Sequence, residues 1–116
     1  MWLLIDIDQD GSSGWEGYEY ILNRTIDADR TCWLEKNPGG WNWKKAAPVR
    51  CRVAGNELQL AIPRAALGIS AGRADLSFDF KWADNLRHPG DVLDFYIDGD
   101  VAPEGRFAYR YEAKLR

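Results

Sequence analysis

The two-residue alternation of apolar and polar side chains constrains this sequence more than any other feature. In LSFDFKW, residues 76–82, Lys81 and the other polar side chains alternate with four apolar ones: Leu76, Phe78, Phe80 and Trp82. Because successive side chains of a strand point to opposite faces of a sheet, this run predicts a strand with one apolar and one polar face. Such runs recur between Gly, Pro, Asn and Asp residues, and no segment has a sustained helical period. The sequence therefore predicts an all-β protein.

The alternation predicts eight or nine short strands, at residues 2–8, 17–24, 31–36, 41–45, 49–54, 57–62, 75–83, 93–98 and 105–112. PRAALG, near residues 63–67, has the proline start and the glycine stop of a single helical turn. The chain of 116 residues is long enough for one hydrophobic core. We expect a single domain over residues 1–116, folded as an antiparallel, jelly-roll-like β-sandwich.

The first strand carries apolar side chains on both of its faces. In WLLIDID, Leu3 and Ile5 lie on one face, and Trp2 and Leu4 lie on the other. Two buried faces are typical of a strand in the centre of a sheet. We therefore expect neighbouring strands on both sides, and we expect the domain to be part of a longer protein whose preceding strands are absent from this chain.

Charge and hydropathy argue against two classes of partner. The net charge is −3, the pI is about 5.1, and the 15 Lys and Arg residues are scattered along the chain. Because they form no basic stripe, we expect no binding to nucleic acid. The apolar run at residues 2–5 is too short for a membrane span, and we find no targeting signal in the chain.

Cys32 and Cys51 are the two cysteines of the chain. Their spacing fits neither a CxxC redox motif nor a zinc motif. Either they form a disulfide, which would contribute about 3 kcal/mol in the chain-entropy model, or they are two small buried thiols.

The sequence contains no common catalytic motif: the GxSxG elbow, the P-loop, GxGxxG and HExxH are all missing. His88 lies in the turn signal LRHPGD, which favours an exposed imidazole without a function. Glycosidase activity would need a pair of carboxylates from among Asp94, Asp98, Asp100 and Glu104. Because a small domain with 18 acidic residues contains such pairs by chance, we expect that the protein is not an enzyme.

DIDQDG, residues 6–11, matches the first half of a calcium loop. Asp6, Asp8 and Asp10 occupy positions one, three and five, and Gly11 occupies position six, where the loop turns sharply. Position twelve requires a bidentate Glu, and here it is Gly17. Two interpretations remain. One is a structural calcium site with ligands Asp6, Asp8 and Asp10 that other parts of the fold complete, and the other is a polar turn without a metal.

The tryptophans indicate where a carbohydrate would bind. An exposed ring can stack on the C–H face of a pyranose while neighbouring polar groups bond to its hydroxyls. NPGGWNWKK is the best candidate, and its ligand-binding residues would be Trp41, Asn42, Trp43 and Lys44. Trp15, which lies in a glycine-rich segment, is the next candidate. Packing in the core is the alternative for each of these rings.

Four segments, taken in order, resemble one known domain family. They are LLIDIDQDGSSGWEGYEYILNR, ELQLAIPRAALG, LSFDFKWADN and DFYIDGDVAPEGRFAYRY. The series resembles the family 9 carbohydrate-binding modules and the DOMON-type domains. The resemblance implies a β-sandwich appended to a polysaccharide-active or surface protein, with structural calcium in some members. It also implies strand-end or metal-coordinating roles for Asp6 and Asp8, and hairpin packing for Trp15, Gly17 and Tyr18.

Two functions are compatible with these expectations. The first is a non-catalytic module, stabilised by calcium, that binds a poly- or oligosaccharide through Trp41 and Trp43. The second is a structural accessory domain that packs against a neighbouring domain of its parent protein and has no ligand of its own. In either case we expect an extracellular or periplasmic location if the parent protein is exported.

Overall fold

The computed structural model describes residues 1–70 and 75–114, which form eight antiparallel strands and two short 3₁₀ turns. The strands are β1 (Trp2–Asp6), β2 (Tyr20–Ile26), β3 (Cys32–Lys36), β4 (Lys44–Ala54), β5 (Glu57–Ala61), β6 (Asp75–Asp84), β7 (Asp100–Ala102) and β8 (Tyr109–Lys114). The 3₁₀ turns are Arg64–Leu67 and Val92–Phe95. The predicted all-β antiparallel class is confirmed, and so is the helical turn near residues 63–67. Within the described ranges, no helix is long and apolar enough to cross a membrane.

All eight strands belong to one curled sheet. Its order is β5-β4-β3-β2-β1-β6-β7, and β8 pairs with the part of β6 that β7 leaves free. β1 lies between β2 and β6, which is the central position that its two apolar faces predict. Because the pairings join all of these strands into one sheet, the two facing sheets of a sandwich stay a prediction.

The sheet is apolar on both faces because alternate residues of its central strands enter opposite cores. One face, here called the groove face, carries Leu3 and Ile5, and Leu67 from the first 3₁₀ turn packs on it. The other, here called the tryptophan face, carries Leu4 and Ile21. Aromatic side chains from loops and from the second 3₁₀ turn cover the tryptophan face: Trp15, Trp41, Trp43 and Phe95.

Lys81 is buried, although the alternation places it on the polar side of β6. None of its surface is exposed to solvent. Its Nζ donates hydrogen bonds to the carbonyl oxygens of Pro103 and Phe107, and it lies 5.1 Å from the ring centre of Phe95. Burial lowers the pKa of this amine to about 8. Lys81 is buried on the polar face because the loop after β7 folds over its side chain.

The predicted strand over LDFYID is also wrong. The segment begins in the second 3₁₀ turn and continues as a turn through residue 98. Asp91 caps the 3₁₀ turn by accepting a hydrogen bond from Leu93 N at 3.0 Å. Leu93 and Ile97, which a strand would direct inward, are 55% and 72% exposed. Asp94 is buried instead, because its carboxylate accepts a hydrogen bond from the backbone N–H of His88.

A disulfide joins β3 to the second half of β4. Cys32 and Cys51 are bonded, and their Cα atoms are 6.3 Å apart. The first half of β4 pairs with β3, whereas from Arg50 onward β4 pairs with β5. Of the two alternatives that the sequence leaves open, the structure therefore has the disulfide, which ties the β4–β5 hairpin to the rest of the sheet.

Candidate functional site

Three carboxylates converge where the first hairpin turns. Asp6 ends β1, Asp8 lies in the turn that follows, and Glu19 immediately precedes β2. One oxygen from each carboxylate lies within 4.8 Å of the others. Strand pairing brings them together, because Glu19 N donates a hydrogen bond to the carbonyl oxygen of Ile5 at 3.0 Å. We call Asp6, Asp8 and Glu19 the acidic cluster.

Hydrogen-bond donors near the acidic cluster are too few for three carboxylates. Glu19 accepts hydrogen bonds from Ile7 N at 2.8 Å and from the Ser13 hydroxyl. Asp8 accepts a hydrogen bond at 2.9 Å from the backbone N–H two residues later in the chain. Its oxygens also lie 3.0 Å from the Ser13 hydroxyl, which has a single proton to donate. Asp6 is 9% exposed, and its buried Oδ1 has no hydrogen-bond partner in the described part of the chain. The cluster therefore contains an unsatisfied buried acceptor.

The crowding of these carboxylates changes their acidity. Burial, a hydrogen bond that the protonated Asp6 carboxyl donates to Asp8, and the charge of Glu19 raise the pKa of Asp6 to about 7. Burial also raises the pKa of Glu19. The guanidinium of Arg110 lies 2.8 Å from Asp79, the residue opposite Asp6 in the β1–β6 register. Since that guanidinium is paired with another carboxylate, the negative charge of the cluster is poorly compensated.

The three predicted calcium ligands do not come together as they would in a local calcium loop. Asp6 and Asp8 come together as expected, but Asp10 lies outside the cluster. Its exposed carboxylate accepts hydrogen bonds from Ser12 N at 2.9 Å and from Ser12 Oγ at 2.6 Å. Glu19 takes its place. The twelve-residue calcium loop ends at Gly17 and so does not include Glu19. The feature of the sequence that indicates Glu19 is its position at the start of the strand that pairs antiparallel with β1.

The tryptophans predicted to bind carbohydrate pack against one another on the tryptophan face. Trp15 is 5% exposed and donates from Nε1 to the carbonyl oxygen of Gly90 at 3.3 Å. The half-buried ring of Trp41 lies 4.7 Å from that of Trp15 and 5.7 Å from that of Trp43, centre to centre. The ring planes meet at 75° and 89°. Rings at such angles form no flat double platform for a sugar, so their packing role is the better supported one.

The polar neighbours of these tryptophans, Asn42 and Lys44, are exposed. Asn42 donates from Nδ2 to the carbonyl oxygen of Gly39 at 2.7 Å, which braces the glycine loop. Lys44 is the first residue of β4 and lies opposite Lys36. The predicted strand at residues 41–45 therefore begins only at its fourth position, and Trp41 and Trp43 lie in the preceding loop.

An apolar groove of about 350 Å³ runs over the groove face. Apolar side chains from β5, β6 and the segment between them line it: Leu60, Ile62, Leu67, Phe78, Phe80 and Trp82. Arg64 and Tyr111 are the polar members of the lining. Phe78, Phe80 and Trp82 belong to the apolar stripe of the predicted strand, and all three stay partly exposed.

The groove continues into an aromatic edge formed by β8. Tyr109 and Tyr111 are 46% and 45% exposed. Their ring centres lie 5.6 Å from that of Phe80 and 5.1 Å from that of Phe78, respectively. Contiguous exposed apolar surface of this kind marks interaction sites more often than single exposed residues do.

A wider cleft of about 890 Å³ lies between the second 3₁₀ turn and the loop after β7. Tyr96 and Phe107, which line it, are 56% and 68% exposed. Asp100, Glu104 and Arg106 supply polar groups to the same cleft. Exposed rings beside hydrogen-bonding side chains are suited to a sugar. The sequence did not reveal this cleft as a carbohydrate candidate, because its rings come from segments that only the fold brings together.

Comparison of this chain with protein-family models, with curated proteins and with solved structures found no match. The resemblance to family 9 carbohydrate-binding modules and DOMON-type domains therefore stays a prediction. Three features of the molecule are available for a functional interpretation: the acidic cluster, the apolar groove with its aromatic edge, and the wide cleft.

Proposed function

We propose that this chain is a non-catalytic accessory domain that packs against an apolar polypeptide segment of a neighbouring domain. The observation that carries the proposal is the apolar groove. Loop aromatics cover the tryptophan face, whereas Phe78, Phe80 and Trp82 on the groove face stay partly exposed. Tyr109 and Tyr111 extend this surface to the edge of the sheet. A second layer of protein on the groove face would bury it.

The lining of the groove favours a polypeptide over a carbohydrate. Buried sugar hydroxyls must replace their hydrogen bonds to water, and the groove offers them the polar side chains of Arg64 and Tyr111. Apolar side chains need no such partners and gain about 25 cal/mol for each Å² removed from water. Among the described strands, β8 pairs with β6 alone. The occupant is therefore an extended segment with alternating apolar residues that adds a strand beside β8.

The disulfide supports the expected location. Bonds such as Cys32–Cys51 persist in oxidising environments, which include the extracellular space and the periplasm. An exported parent protein is therefore part of the proposal.

Calorimetric titration with synthetic peptides tests the proposal. Extended peptides with alternating apolar and polar residues should bind. Peptides of the same composition whose apolar residues are grouped together in the sequence should bind less. Phe80→Ser should weaken the binding roughly tenfold, because it removes one ring from the groove lining. Phe107→Ser, which removes an aromatic ring outside the groove, should leave the affinity unchanged.

Several outcomes would contradict the proposal. One is the absence of binding across the peptide panel, and another is equal weakening by Phe80→Ser and Phe107→Ser. A concentration-dependent dimer in light scattering that Phe80→Ser abolishes would assign the groove to a second copy of the chain. Circular dichroism of both variants verifies that each keeps the fold.

Carbohydrate binding is the second candidate function, and the wide cleft favours it. Tyr96 and Phe107 expose their rings beside three charged side chains there. Titration with a broad panel of soluble oligosaccharides checks this candidate. Loss of binding in Tyr96→Ala would assign the sugar to the cleft, and loss in Trp41→Ala would assign it to the predicted Trp41 and Trp43 site. No heat signal with any oligosaccharide would remove the candidate.

A further inference from the structure

We infer that the acidic cluster is a calcium site and that Glu19, rather than Asp10, is its third carboxylate ligand. The inference goes beyond the proposed function, because it involves neither the groove nor the wide cleft. It depends on the position of Asp6, the spacing of the three carboxylates and the space that Gly17 leaves beside them.

The burial of Asp6 without enough hydrogen-bond donors points to a ligand. The residue is 9% exposed, and its Oδ1 is buried without a hydrogen-bond partner in the described residues. A buried carboxylate oxygen without a partner is unfavourable unless a cation or a donor reaches it. One oxygen each of Asp6, Asp8 and Glu19 lie within 4.8 Å of one another, so a cation between them needs small movements of the side chains to be bound by all three.

The donor set suits calcium. Three carboxylates supply hard oxygen ligands, and no nitrogen or sulfur ligand belongs to the cluster in the described ranges. Two oxygens bound to one Ca²⁺ at about 2.4 Å are at most about 4.8 Å apart. The oxygens of the cluster already meet this limit. Mg²⁺ requires shorter bonds, of about 2.1 Å, and a stricter octahedron, which a turn with three carboxylates supplies less readily.

Gly17 keeps the space beside Asp6 open. Its φ is +91°, and a Cβ at this position would lie 3.0 Å from Gly11 Cα and 3.5 Å from Asp6 Oδ2. The same Cβ would lie 3.5 Å from the carbonyl oxygen of Asp10, which therefore borders the same space. That carbonyl oxygen already accepts hydrogen bonds from Ser13 N at 3.2 Å and from Ser13 Oγ at 2.9 Å, so the three carboxylates are the protein ligands that we assign. Water completes a shell of roughly six to eight oxygens.

Thermal melting and terbium luminescence of the whole chain test the site. We expect the midpoint of unfolding in millimolar Ca²⁺ to exceed the midpoint in EDTA by roughly 5 °C or more, because the ion binds the native state. Tb³⁺, which replaces Ca²⁺ in oxygen sites, should show luminescence sensitised by the aromatic residues of the hairpin, and added Ca²⁺ should displace it. An equal midpoint in Ca²⁺ and EDTA, with no terbium signal, would overturn the inference.

Three conservative variants identify the ligands. Asp6→Asn and Glu19→Gln keep the size of each side chain, and each should abolish both the shift in midpoint and the terbium signal. Asp10→Asn, in the same loop, is the matched control and should retain both. Loss in Asp10→Asn with retention in Glu19→Gln would overturn the assignment of Glu19. Because Asp6→Asn relieves a buried charge, we expect it to fold in EDTA at least as well as the native chain. An equal shift with Mg²⁺ would overturn the assignment to calcium.

Discussion

Gly14 shows how a single residue positions the acidic cluster. Its φ is +62°, and a Cβ there would lie 2.1 Å from the carbonyl oxygen of Tyr18. Trp15 and Tyr18 exchange two backbone hydrogen bonds at 2.9 Å, which close a tight turn. Glu19 follows directly, so the conformation of Gly14 determines where its carboxylate lies.

Gly14→Ala should lower the free energy of unfolding by about 2 to 4 kcal/mol. The added methyl group meets backbone atoms that cannot move without breaking the turn, and the left-handed conformation adds strain. Urea denaturation followed by tryptophan fluorescence measures the change. Gly11→Ala is the matched control, because a Cβ there has no neighbour within 4 Å, and we expect it to change stability by less than about 0.5 kcal/mol. Equal losses in the two variants would contradict this account of the turn.

At the scale of single residues, the sequence predicted which side chains are candidate metal ligands, but it did not predict which residues they contact. The spacing of Asp6 and Asp8 indicated converging carboxylates, since alternate residues of a strand share a face. Glu19 escaped prediction because strand pairing, and not local spacing, brings it to them. Lys81 escaped for a similar reason: the loop that buries it begins about twenty residues further along the chain.

At the scale of elements, alternation predicted strands correctly where their neighbours are also strands. β6 follows its predicted bounds closely, and its apolar stripe lines the groove. The same two-residue alternation led to a wrong strand prediction in LDFYID, because the Asp91 cap and the burial of Asp94 stabilise a 3₁₀ turn. Two-residue alternation over so short a segment does not exclude a turn, and local hydrogen bonds decide the outcome.

The disulfide should stabilise the β4–β5 hairpin more than any other element. Its loss, by reduction or by the double replacement Cys32→Ala and Cys51→Ala, should lower the free energy of unfolding by about 3 kcal/mol. Among the described strands, the hairpin pairs with the rest of the sheet through the first half of β4 alone, so its amides should exchange faster once the bond is gone. Denaturation with and without reductant measures the loss, and the double variant, which reductant cannot change, is the control. An unchanged midpoint in reductant would contradict this role of the bond.

At the scale of the whole molecule, the two faces of the sheet differ in how completely they are covered. Both carry apolar side chains of β1, so covering either one contributes to stability. A layer of aromatic rings packs on the tryptophan face, although Trp41 and Trp43 in that layer are only half-buried. On the groove face the stripe of β6 and the edge of β8 are themselves partly exposed. This difference could not be predicted from alternation, which reports that a face is apolar and not whether another segment covers it.

This asymmetry predicts the pattern of amide hydrogen exchange across the sheet. Amides of β1 and of the first half of β2 should be the most protected, because their side chains are buried and both strands have neighbours on either side. Amides of β8 should exchange at least about 100-fold faster, since the strand pairs with β6 alone among the described strands and its residues are largely exposed. A peptide bound beside β8 should slow exchange there and leave β5, at the other end of the sheet, unchanged. Mass spectrometry after timed labelling resolves these segments, and equal protection of β1 and β8 in the free chain would contradict the exposed edge position of β8.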